Sequence, residues 1–149
     1  MRSTASLMCA AALLLAGSGA IAIAQKVATP EDLDKVMKKA GPALEASGKA
    51  IGGSAYADAK PQLAALKQAI DDSREFWVEH KRDDAIKFNK DTIAKIEQVE
   101  KLVSAEPVDA AAAAAAMKEV GGACRSCHGV YRTKDADNNY VLKPGSIDK

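Results

Sequence analysis

The sequence predicts an all-α protein, an antiparallel four-helix bundle, and three observations predict it. Apolar residues recur at three- and four-residue steps through most of the chain. Proline, glycine and polar clusters divide that pattern into four segments of roughly twenty residues, each about 30 Å long as a helix. No stretch alternates apolar and polar residues as a half-buried strand does. Short connections make consecutive helices antiparallel, and such bundles build cofactor sites between facing helices.

The first helix is expected over 31–51. Thr29 precedes Pro30-Glu31-Asp32, which supplies a cap, a proline at the first position and acids at the positive helix end. Leu33, Val36, Met37, Ala40, Leu44, Ser47 and Ile51 form its inward stripe, and Gly52-Gly53 ends it. Pro42 has no N–H for the Lys38 carbonyl, which predicts a bend after Gly41. The second helix, 58–79, has Pro61 in its first turn and carries Leu63, Leu66, Ile70, Ser73 and Trp77 on one face. His80 to Asp83 reads as the turn. The third, 82–104, sets Ile86, Ile93, Ile96, Val99 and Val103 against a charged face. The fourth, 108–133, includes the run Ala110 to Ala116, and alanine is the best helix former. Met117, Val120, Cys124, Cys127 and Tyr131 share one of its faces. From residue 134 to 149 the tail reads as irregular, so one domain spans 25–133.

Residues 1–24 read as a secretory signal peptide. Arg2 is the positive start, Leu7 to Ile23 the apolar stretch, and Ala22-Ile23-Ala24 the small-residue cleavage signal. Loss of Arg2 from 21 basic residues leaves them equal in number to the 20 acidic ones. A charge-balanced chain lacks the basic stripe of a nucleic-acid binder. Cleavage also removes Cys9, which leaves Cys124 and Cys127 and no membrane anchor.

The chemistry concentrates in Cys124-Arg125-Ser126-Cys127-His128. On a helix the two cysteines lie three residues apart on one side, and His128 lies about 40° round from Cys124. Two thiols can reach two vinyl groups while the imidazole reaches the iron, so this spacing is read as covalent haem attachment. The expected cofactor is one haem c, with His128 as proximal iron ligand. A structural zinc site needs four ligands, and the mature chain offers only the two cysteines, His128 and distant His80. A thioredoxin-like pair would follow a strand. For the second axial position the residues leave His80 and Met37 open. Met37 lies on the inward stripe, one turn before Gly41, where a missing side chain lets a flat ring approach.

Gly122 to Arg132, placed near the C-terminus, and Val36-Met37-Lys38-Lys39-Ala40-Gly41 in the first helix together resemble the class II cytochromes c, the family of cytochrome c-prime. The likeness covers the mature chain and implies a four-helix bundle, the fold for which cytochrome c-prime is an established example. It implies Met37 as distal iron ligand, as in the low-spin branch, and Arg132 as a basic residue that contacts a propionate. It also implies a homodimer through helices one and two. The link between helices two and three is shorter than the family's crossover, and Pro42 after Gly41 departs from its pattern. The expected function is a periplasmic electron carrier that serves other periplasmic redox proteins, and not an enzyme. A five-coordinate binder of nitric oxide or carbon monoxide is the alternative, and a haem-free bundle with an exported disulfide is the third reading.

Overall fold

The computed structural model describes residues 26–148, so the expected signal peptide lies outside the described residues. Four helices follow one another: α1 (Pro30–Gly52), α2 (Tyr56–Glu79), α3 (Asp83–Leu102) and α4 (Ala110–Tyr131). Connections of a few residues make neighbours antiparallel, and the molecule is an all-α four-helix bundle. The Lys26–Glu79 ion pair at 2.9 Å and a hydrogen bond from Val27 N–H to Glu75 place the start of α1 beside the end of α2. Among the described residues no helix is long and apolar enough to cross a membrane.

The helix ends follow local chemistry. The Thr29 hydroxyl accepts from Asp32 N–H, and the Asp109 carboxylate accepts from Ala112 N–H, so each caps its helix. α1 runs unbroken through Pro42. It ends at Gly53, whose φ of −91° is ordinary; the left-handed residue is Ser54, at φ 57°. Pro61 falls inside α2 and not in its first turn, because Tyr56 begins the helix.

The core fills the centre with Leu63, Leu66, Phe76, Ile96, Val99 and Val120, all fully buried. On α3 and its C-cap, Ile96, Val99 and Val103 are buried as expected, but the inward face is rotated enough to include polar residues. Asn89 and Thr92 are buried, while Ile86 and Ile93 are half-buried against the core. Burial of these polar groups is sustained by hydrogen bonds. The Asn89 amide donates to the Ile70 carbonyl at 2.6 Å and to Ser73 Oγ at 2.8 Å, and Thr92 Oγ1 donates to the Phe88 carbonyl.

The tail corrects the expectation of an irregular segment. α4 stops at Tyr131, and β1 (Arg132–Lys134) pairs antiparallel with β2 (Tyr140–Leu142). The Asp135 carboxylate accepts from Asp137 N–H and Asn139 N–H, and Asn138 adopts φ 67°, which closes the turn. Lys143 N–H donates to the Tyr131 carbonyl, and Leu142 and Ile147 pack on the core.

Beneath this tail Arg82, Asp84 and Tyr131 gather. Arg82 meets Asp84 at 3.4 Å, donates to the Ser146 carbonyl at 2.6 Å and lies 5.2 Å from the Tyr131 ring centre. The Tyr131 hydroxyl, buried and without a partner at hydrogen-bond geometry, lies close to the Asp84 carboxylate. Burial first, then Asp84, pushes the phenol to about 12. The nearby phenol and then Arg82 hold Asp84 at about 2. A carboxylate held below its usual value near ~4 stabilises the fold above that pH, and the contribution is lost as pH falls toward the folded value. Asp84→Asn is therefore expected to lower the melting temperature above pH ~5, with the gap closing as pH approaches that of the folded carboxyl. The half-exposed side chain limits the gap to about a degree or two. A gap that is constant with pH would refute the assignment.

Candidate cofactor site

α4 brings the motif together through its own period. Cys124 and Cys127 are half-buried, pack against the core and are free thiols. Burial raises both, and Cys127 reaches about 11 because Cys124 and Asp84 add to the burial effect. The cysteines are therefore protonated thiols at neutral pH. His128 is half-buried beside them. Burial and then the Arg132 charge lower its pKa, which favours the neutral imidazole with a free lone pair.

A groove along the α1–α4 seam lies on the same helix as the motif, though its lining includes none of Cys124, Cys127, His128 or Met37. α1 and α4 are the first and last helices, joined by no direct connection, and the groove of about 410 Å³ opens between them. Leu44, Gly48, Ile51 and Gly52 form its α1 wall, and Ala114, Met117, Gly121 and Arg125 lie along α4. At about 100° per residue, Met37 projects midway between Leu44 and Gly48 on the α1 wheel. On α4, His128 projects midway between Met117 and Gly121 by the same count. Because the helices are antiparallel, the groove wall on α1 extends toward Met37 at the same bundle end where the α4 wall extends toward His128. Met37 is half-buried and packed on the core. A Cβ added to Gly41 would meet nothing within 4 Å.

Of the remaining expected residues, Arg132 lies close enough for its charge to act on His128, and His80 sits at the end of α2. Arg132 is placed over the Tyr140 ring, 3.8 Å from its centre, in a cation–π contact on the hairpin. His80 caps α2: its Nδ1–H donates to the Phe76 carbonyl at 2.8 Å, and its ring lies 4.1 Å from that of Phe76. Among the described residues no three His, Cys, Asp or Glu gather as a metal-binding group.

Sequence reasoning overlooked Arg125 as a wall of the groove, together with Lys118. The signal was Gly121-Gly122, one turn before Arg125. Comparison with known proteins adds no relative: no family model, curated protein or solved structure matches the chain.

Proposed function

We propose that the chain is an exported mono-haem c-type cytochrome that carries single electrons between periplasmic redox proteins. The reading is supported by the clustering of two free thiols and a neutral imidazole on one flank of α4, with Met37 half-buried against the core on α1. The donor set suits a haem: Cys124 and Cys127 would tether it through thioethers, and His128 and Met37 would offer a nitrogen and a sulfur to its iron. When bound, that group supplies a one-electron couple.

The protein's own residues set how the couple behaves. Cys124 and Cys127 would fix the macrocycle to α4 by thioethers and so prevent its dissociation. His128 presents a neutral nitrogen because burial disfavours its charge. Met37 would supply a thioether sulfur from α1, which would suit the group to electron transfer rather than to substrate binding. A methionine ligand together with histidine would also raise the potential.

Absorption spectra of the ferric and ferrous protein test the reading. The expected ferric spectrum is low-spin. Met37→Ala should convert it to high-spin, with nitric oxide then binding at once and the potential falling. A wild-type protein that is already high-spin and takes up nitric oxide unaided would instead make this a gas-binding site with Met37 in the core.

A further inference from the structure

We infer that Arg125 and Lys118, on the rim of the α1–α4 groove, hold the propionate carboxylates of the haem carried by α4. The inference rests on the haem reading above and assigns a role that Arg132 was expected to fill.

Three observations converge on it. The first is the path of the Arg125 side chain. A Cβ built on Gly121 would lie 3.4 Å from Arg125 Nη1, and one on Gly122 would lie 4.0 Å from Nη2. The guanidinium therefore folds back along α4 over two residues that have no side chain, and it lines the groove. The second is charge. Lys118 lines the same groove, one turn before Gly121, and neither cation joins an ion pair among the described residues. Two unneutralised cations beside Leu44, Ile51 and Met117 suit a ligand that is apolar over its body and anionic at one edge.

The third is continuity with the motif. A helical side chain covers the surface over the turn N-terminal to its own Cα. His128 thus reaches toward the Cys124–Arg125 turn, where the α4 wall of the groove ends, so a group held by His128 would have Arg125 beside it. Arg132, by contrast, is engaged by Tyr140 on the hairpin.

A cation beside a carboxylate favours its ionised form, and it disfavours the extra positive charge of ferric iron. Removal of either cation should lower the midpoint potential at neutral pH. It should also move the propionate ionisation, seen as a break in the plot of potential against pH, upward by about one pH unit. The experiment is redox potentiometry across pH on the exported holoprotein, with R125Q, K118Q and R132Q compared. Both Arg125 and Lys118 are exposed, so the fold is expected to tolerate the changes.

The expected result is an upward break and a lower potential in R125Q and K118Q, with R132Q close to wild type. A break that moves only in R132Q, or in none of the three, overturns the assignment. So does calorimetric binding of palmitate to the holoprotein that is lost in R125Q, since a free amphiphile would then own the groove. Mass spectrometry distinguishes the deeper failure: wild-type chains without a macrocycle overturn the haem reading, and this inference with it.

Discussion

Replacement of both Cys124 and Cys127 with Ala is expected, on the proposed haem reading, to abolish covalent attachment of the macrocycle completely. Intact-mass measurement of the exported variant should return the mature polypeptide alone, and acid extraction should leave no pigment on the protein. Each single variant should retain one tether. The helix itself should survive, since alanine favours helix. Helical circular dichroism close to wild type therefore separates loss of attachment from loss of fold. Pigment that stays bound through the extraction would show that the thiols are not the tethers.

Phe76→Ala should produce the largest loss of stability. The ring is fully buried, edge-on to Trp77 at 4.9 Å between centres and stacked near His80. Trp77 in turn packs on Tyr131, with centres 4.6 Å apart, so the ring supports the end of α4 that follows the motif. Removing it costs about 3–5 kcal/mol, from lost burial and the cavity left behind. That is a large part of the roughly 5–15 kcal/mol that holds a domain folded. Urea unfolding should show the midpoint falling accordingly. Val78→Ala, two residues on but 51% exposed, should change stability by less than about 0.5 kcal/mol. Equal effects of the two changes would refute this account of the bundle end.

Long amphipathic segments were the legible part of the chain. Leu63, Leu66, Ile70, Ser73 and Trp77 repeat at the helical period and are all buried on α2. α3 was read less well, because its inward face includes Asn89 and Thr92. Their polarity is hidden by partners on α2 and on their own helix, and hydropathy cannot register a hydrogen bond. The hairpin escaped notice because three-residue strands are too short to show alternation, and its turn depends on one carboxylate, that of Asp135.

The candidate site divides the same way. Cys124, Cys127 and His128 lie within five consecutive residues, so local geometry alone relates them. The groove joins residues of α1 and α4 that are far apart in sequence, and only the packed bundle brings them into register. Gly121-Gly122 was visible as a pair. Its meaning, room for the Arg125 guanidinium, required knowing which way that side chain turns.

The absence of any direct link between α1 and α4 has a thermodynamic side. A bond from Met37 through iron to His128 would join the first helix to the last and close most of the chain into one loop. Crosslinks that enclose long stretches remove the most freedom from the denatured ensemble, in the chain-entropy account. Ligation there would therefore act as a reversible clasp, so that the same bond that tunes an electron's energy also makes the polypeptide harder to unravel.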